Sequence, residues 1–244
     1  MVLATAGVLY LGFGGSRREE GRQRLAETAP GAVTPSNVEA AAMPAAPRAT
    51  PPRAPSPEPM QASTLSDVDP HKAYGSKNAP ITMEIFSDFQ CPACKQLYKT
   101  TNQQLMDNYV NTSKVYLVHR DFPLPMHAYS RIAARYARGA AQLGKSDQAE
   151  QALFQNQEKW EQSGDVDGTL ATVFSAAEMN KIRAQAKGTA FDAVIDRDVA
   201  LGKGYNVNQT PTTIIRHKGQ TYPVVGIVSY DMLHQFLDQL LSQR

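Results

Sequence analysis

Apolar positions divide this chain into stretches of different character. Residues 2–15 (Val-Leu-Ala-Thr-Ala-Gly-Val-Leu-Tyr-Leu-Gly-Phe-Gly-Gly) are uncharged, and residues 26–65 hold nine prolines among alanines, serines and threonines with no periodic apolar face. Regular patterning starts only beyond them. Ile81-Thr-Met-Glu-Ile-Phe-Ser87 reads as a short buried strand. The residues after Cys91, to about Asn108, read as a helix with Leu97, Leu105, Met106 and Tyr109 on its inner face. Lys114-Val-Tyr-Leu-Val-His119 is a continuous apolar run of the kind found in a central strand covered on both sides. Two strands joined through a helix make a βαβ unit with parallel strands and a right-handed crossover. Arg120-Asp-Phe-Pro-Leu-Pro125 then breaks the pattern as an irregular link.

Between residues 127 and 203 no strand pattern occurs. Helices are predicted over about 128–143, stopping at Gly144, and over about 147–160, ending near Gly164. Two more fall around 169–176 and 191–201, the latter with Phe191, Val194, Ile195 and Val199 on one stripe. Residues 179–187 extend the third helix or form a short one of their own. Trp160, the only tryptophan, is expected to pack this helical block. Strand character returns at 212–216, Lys218-Gly219 supplies a hairpin turn, and 221–225 pairs back. A last helix follows Ser229, with Leu233, Phe236, Leu237, Leu240 and Leu241 at helical spacing. The order is βαβ, helical block, ββα.

Composition adds limits. The chain has 244 residues, 42% of them apolar, and a net charge of +2, so binding to nucleic acid or to an acidic partner is not suggested. The part from 66 to 244 is long enough for one good core. A helix over residues 2–15 would span about 21 Å, short of the bilayer core of about 30 Å. That segment is expected to be the apolar region of a signal, or the tail of an anchor. Arg17, Arg18, Arg22 and Arg24 follow it instead of preceding it, which disfavours export of what comes after unless a basic segment lies upstream. Residues 16–65 cannot bury enough surface to offset their ordering entropy and are expected to be an extended spacer. The domains expected are therefore an apolar segment (1–15), a Pro/Ala-rich linker (16–65) and a compact domain (66–244) with its helical insertion at about 127–203, tethered at a membrane outside the cytoplasm.

The chemistry lies in Cys91-Pro92-Ala93-Cys94, which contains both cysteines of the chain. A Cys-x-x-Cys between a strand and a helix is where thioredoxin-like folds place a redox centre. Cys91 would be the helix N-cap and Pro92 its first residue, where a missing N–H costs nothing. The remaining N–H groups and the helix dipole would then favour a Cys91 thiolate. Cys94, one turn on and facing inward, would be the resolving thiol. Lys95 either adds positive potential or is an ordinary solvated helix residue. Other uses of the pair stay open at this level: a structural disulfide, though so short a loop stabilises little; a zinc site, though His71, His119, His127, His217 and His234 offer no paired spacing; or two inert thiols. His119 and His127 read as satisfied surface residues flanking the 120–125 link, and Asp88 and Phe89 carry no specific role. No bound organic cofactor and no metal is expected.

Five segments together give a family resemblance: Asn78-Ala-Pro-Ile-Thr82, Phe86-Ser-Asp-Phe-Gln-Cys-Pro-Ala-Cys94, Arg120-Asp-Phe-Pro-Leu-Pro125, Ala152-Leu-Phe154 and Val207-Asn-Gln-Thr-Pro-Thr212. Through them residues 69–242 resemble the DsbA-like thiol–disulfide oxidoreductases, an α/β family with a thioredoxin-like fold and an inserted all-helical subdomain. The resemblance implies that Cys91 is an exposed nucleophile and Cys94 its buried partner. It implies that Pro211 is a cis-proline facing the pair, with Pro92, Ala93, Thr210 and Pro211 lining the active site and Thr210 pairing with a substrate strand. It further implies oxidation of reduced, unfolded exported proteins and reoxidation by a quinone-linked membrane protein; contact of the N-terminus with a membrane is expected from the apolar segment at 2–15. A reductase, an isomerase, or a redox-inactive peptide-binding module are the rival readings. Two departures stand out. Ala93 replaces the histidine of the strongest oxidants, which predicts a less acidic Cys91. The acid that many relatives carry six residues before the first cysteine is replaced by Ile85, and the adjacent Glu84 reads as a partly exposed glutamate at a strand end.

Overall fold

The structure, a computed structural model, describes residues 68–243. The expected apolar segment and linker at 1–65 lie outside the described residues. Five strands form one mixed sheet in the order β1-β3-β2-β4-β5. They are β1 (Ala73–Tyr74), β2 (Ile81–Ser87), β3 (Val115–Asp121), β4 (Thr212–His217) and β5 (Gln220–Val225). β2 and β3 run parallel, as the βαβ reading requires, and every other neighbouring pair is antiparallel. β3 extends two residues past the predicted run, so Arg120 and Asp121 belong to the sheet and not to the irregular link. The two-residue β1 was not foreseen, because so short a segment shows no alternation.

The helix after Cys91 begins as α1 (Pro92–Leu97) and continues through Val110. Its continuation is α-helical only at α2 (Gln103–Leu105), with π-helical turns at Tyr98–Asn102 and Met106–Val110. Leu97, Leu105 and Tyr109 meet Met83, Ile85, Leu117 and Ile215 on one sheet face, where α9 (Tyr230–Ser242) adds Leu233, Leu237 and Leu240. The Ser229 side chain caps α9 by accepting from the Met232 N–H. On the other face Phe86 and Ile214 pack with Phe122, Tyr205 and Val207. Lys218 and Gly219 both take positive φ (47° and 77°), the conformation that a two-residue hairpin needs.

The insertion contains α3 (Ser130–Ala141), α4 (Ser146–Gln155), α5 (Gln157–Trp160), α6 (Val166–Ala171), α7 (Ala176–Ala186) and α8 (Asp192–Gly204). The predicted 147–160 helix is two helices, and residues 176–186 form a helix of their own. The reason for the latter is a capping box: the Ser175 hydroxyl accepts from the Glu178 N–H while the Glu178 carboxylate accepts from the Ser175 N–H. Trp160 sits fully buried in the block, its indole N–H donating to the Leu153 carbonyl at 2.8 Å.

A chain of ion pairs runs through the interior. Arg138 of α3 binds Asp69, Asp121 and Asp198, and Arg120 binds Glu84 and Asp198. Glu84 thus departs from the expected strand-end glutamate: it is 0% exposed, midway along β2, and paired with both Arg120 and Arg216 at 2.6 Å. Its strand is the middle of five and is covered on both faces, so alternation has no solvent side to offer. Among the described residues no helix is long and apolar enough to cross a membrane.

Candidate active site

Asp88 shapes the loop between β2 and α1. Its carbonyl accepts from the Cys91 N–H at 3.1 Å, and one carboxylate oxygen accepts from the Gln90 N–H at 2.8 Å. The other oxygen takes the Leu124 N–H at 2.7 Å and lies 2.8 Å from His127 Nδ1. Asp88 therefore has a role the sequence did not reveal, tying the loop to the 120–125 link. His127 is satisfied by that tie, as expected of it. His119 is satisfied too, 2.8 Å from Glu150, but it lies within β3 and is more buried than a surface residue.

Cys91 is the N-cap of α1 and makes no side-chain cap of its own, so the first-turn N–H groups stay directed toward the sulfur; Pro92 is the first helical residue. Lys95 is spent elsewhere, paired with Glu158 of the insertion. When protonated, the Cys91 thiol donates to the Thr210 carbonyl at 3.3 Å, and Thr210–Pro211 is a cis peptide bond, as expected. In one respect the site differs from expectation: Cys91 is only 6% exposed. Thr210 covers it from across the molecule, so the sulfur lies in a recess and not on an open surface. Cys94 is 2% exposed and accepts from the Asp88 N–H at 3.4 Å. Both thiols are free.

These surroundings separate the two thiols. Hydrogen bonding from the Cys94 thiol lowers Cys91 to about 6 against the opposing effect of burial, with the Thr210 side chain and the N–H groups of Cys94 and Ala93 adding to the lowering. Burial, reinforced by the hydrogen bond to Cys91, pushes Cys94 well above the ordinary thiol range. One sulfur is therefore an anion at neutral pH while its neighbour keeps its proton. An acidic thiol beside one that holds its proton is a pair chemically suited to thiol–disulfide exchange.

The insertion holds the loop in place. Gln157 donates to the carbonyls of Phe89 at 2.6 Å and Cys91 at 3.1 Å. Gln90 donates to the Glu161 carbonyl at 3.0 Å and accepts from the Tyr129 N–H. Neither glutamine was singled out from sequence, and an isolated Gln carries no signal that could have done so. Among the described residues no cluster of His, Cys, Asp or Glu suited to a metal ion occurs.

A dithiol on a strand-to-helix turn, faced by a cis-proline loop, defines a thioredoxin-fold site. The family model described as Thioredoxin matches residues 67–239, and the chain belongs to that family. Within it the mixed sheet with a helical insertion is that of DsbA-like proteins. Wolbachia pipientis alpha-DsbA1 matches with a TM-score of 0.60 at 16% identity, over 69% of this chain and 89% of that one. A thioredoxin-like oxidoreductase from Silicibacter pomeroyi DSS-3 gives 0.60 at 23% identity, over 75% and 100%. Pseudomonas aeruginosa DsbA2 gives 0.55 at 26% identity, over 70% and 93%. In sequence the chain is 26% identical over 169 residues to the Na(+)/H(+) antiporter NhaA 1 of Mycolicibacterium gilvum, a match covering 67% of this chain and 27% of that protein. It is 32% identical over 95 residues to NhaA 3 of Salinispora tropica, covering 38% of this chain and 14% of that protein. The chain thus spans less than a third of the length of these curated relatives.

Proposed function

We propose that the chain is a thiol–disulfide oxidoreductase that introduces disulfides into reduced, unfolded exported proteins outside the cytoplasm. A substrate thiolate attacks the Cys91 sulfur of the Cys91–Cys94 disulfide, and the S–S bond breaks as Cys94 leaves with the electron pair. A second substrate thiolate then attacks the substrate sulfur of the mixed disulfide and expels Cys91 as thiolate. The substrate is oxidised, the enzyme dithiol is reduced, and a quinone-linked membrane protein takes the two electrons to regenerate the disulfide. The N-terminal apolar segment would keep the domain near that partner.

The observation that carries the reading is the opposite displacement of the two thiols. An exchange catalyst needs one ready leaving group and one thiol that stays protonated until called on. The rim supports broad selection of substrates. Met126 is 75% exposed beside the Asp88–His127 tie, and Val225 (57%) and Ile227 (42%) flank Gly226, whose N–H donates to the Pro211 carbonyl at 2.8 Å. Apolar segments of an unfolded chain can lie across this rim while the Thr210 carbonyl accepts a backbone N–H in the manner of an added strand.

Cys91 at about 6 falls between the values of about 7 for thioredoxin and about 3.5 for DsbA. The reduction potential should accordingly lie between about −270 and about −120 mV. A glutathione redox titration with thiol trapping measures it. Failure to form a Cys91–Cys94 disulfide in glutathione buffers would exclude the proposal. The same value lies nearer to thioredoxin's, which favours a reductase or isomerase as the second reading. A midpoint near −270 mV with fast turnover by a thioredoxin reductase would select it.

A further inference from the structure

Whenever the disulfide opens, Cys94 must take up a proton, and whenever it closes Cys94 must give one away. Its sulfur is 2% exposed, and the residue two before Ser87 on its own strand is Ile85, which has no proton to exchange. Solvent alone serves such a site slowly.

Against Cys94 lies a cavity of about 30 Å³, room for one or two water molecules. Its polar wall includes Ser87, Lys72, His119, Asp121 and Glu150 beside Cys94, and the rest of its lining is largely apolar, Phe89 and Phe154 among it. The five polar residues come from separate elements: the turn before β1, β2, β3 and the insertion helix α4. His119 Nδ1 lies 2.8 Å from Glu150, and Lys72 Nζ lies 3.2 Å from both Glu150 and Asp121. The carboxylates and the ammonium are 2–4% exposed, whereas the His119 side chain is 12% exposed. Among the His, Lys, Asp and Glu side chains that line the cavity, the imidazole is thus the most exposed.

The neighbours of His119 keep fixed states near neutrality. Burial would raise Glu150, but His119 and Lys72 together hold it down at about 2. Lys72 stays raised despite its burial, through Asp121 and Glu150, and Asp121 is lowered despite its own, through Lys72 and Arg138. Arg120 is tied to Glu84 and Asp198, and burial pushes the Tyr74 and Tyr98 hydroxyls up, away from neutral pH. An imidazole can both accept and return a proton.

We propose that His119, oriented by Glu150, carries the proton of Cys94 across this cavity. The inference rests on the exchange chemistry proposed above. In the closing direction the Cys94 thiol passes its proton through cavity water to the imidazole, and the Cys94 sulfur bonds to Cys91. The bond from Cys91 to the substrate sulfur breaks, and that sulfur leaves with the electron pair. In the opening direction Cys94 leaves with the pair and receives the proton back from the imidazolium. His119 is a positioning and proton-holding residue for Cys94; it touches neither substrate nor Cys91.

The test loads Cys91 of the full chain with glutathione as a mixed disulfide and follows glutathione release across a pH series. With the Cys91 sulfur blocked, its own titration cannot enter. The wild-type rate should rise through an inflection set by the group that accepts the Cys94 proton. His119→Gln should lose that inflection and close about tenfold or more slowly at pH 7. Alkylation of free Cys91 in that variant should keep the wild-type pH midpoint, an outcome that a merely misfolded site would not give. Glu150→Gln should slow closing at pH 7 as well, because His119 loses the carboxylate that orients it. An inflection that survives in His119→Gln would overturn the proposal, and so would a wild-type profile with no inflection, a result that needs no variant. If wild-type protein forms no mixed disulfide at all, the exchange reading falls as well, which separates the two failures.

Discussion

Replacing Cys94 by alanine removes the largest stabilising contact of the Cys91 anion. A hydrogen bond to a charged group contributes about 1.5–3 kcal/mol, and one pKa unit corresponds to about 1.36 kcal/mol. Losing the Cys94 thiol should therefore raise Cys91 from about 6 by about one to two units. At pH 7 the thiolate fraction would fall from about 90% to between about 10 and 50%. The assay is the alkylation rate of Cys91 by iodoacetamide across a pH series, with the ultraviolet absorbance of the thiolate as an independent readout. Alanine leaves α1, Pro92 and the Thr210 loop in place, so the change reports the thiol and not the helix. A midpoint that stays at about 6 would refute the reasoning, because the helix end and Thr210 would then suffice on their own.

The same displacement links stability to pH. Folded Cys91 at about 6 compares with about 8.5 for an unfolded thiol, so its contribution is complete above the unfolded value and disappears as pH falls through 6. Between pH 8 and pH 6 the reduced protein should lose about 2 kcal/mol more than a Cys91→Ser variant, read by urea unfolding; equal losses would contradict this. Glu84→Ala removes a partner of the buried Arg120 and the partly buried Arg216 and should destabilise by about 3 kcal/mol or more. A shift in unfolding free energy below about 1 kcal/mol would show that Glu84 is better solvated than its burial implies. Gly202→Ala would place a methyl group 2.6 Å from the Phe122 ring and 3.0 Å from that of Phe86. It should cost about 1–3 kcal/mol and lower the melting temperature, with Gly204→Ala, which meets nothing within 4 Å, as the contrast.

The parts of this molecule that were legible in the sequence are those that local chemistry decides. The β2 span Ile81–Ser87, the turn at Lys218-Gly219, the Ser229 cap and the cysteine pair all carry their signals within a few residues. The capping box at Ser175 and Glu178 was equally local and could have separated α7 from the helix before it. What escaped depends on contacts across the chain. Glu84 could not be placed in the interior without knowing that β2 is the middle strand and that Arg120, Arg216 and the Asp198 helix converge on it. The recessed position of Cys91 comes from Thr210, which is distant in sequence. His119 reads as an isolated histidine until Glu150 arrives from α4. The terminal segments expected at 1–65 lie outside the described residues.

Gln157 reaches from the insertion to the carbonyl of Cys91 itself, while Gln90 reaches back to Tyr129 and Glu161. The inserted helices are consequently a wall of the cysteine loop and not an appendage to the sheet. Excising them to make a minimal redox domain would strip two carbonyls of their donor and open the cysteine loop to solvent. Engineering for altered selectivity should therefore begin at the strand-facing rim, where side chains can be exchanged without loosening that masonry.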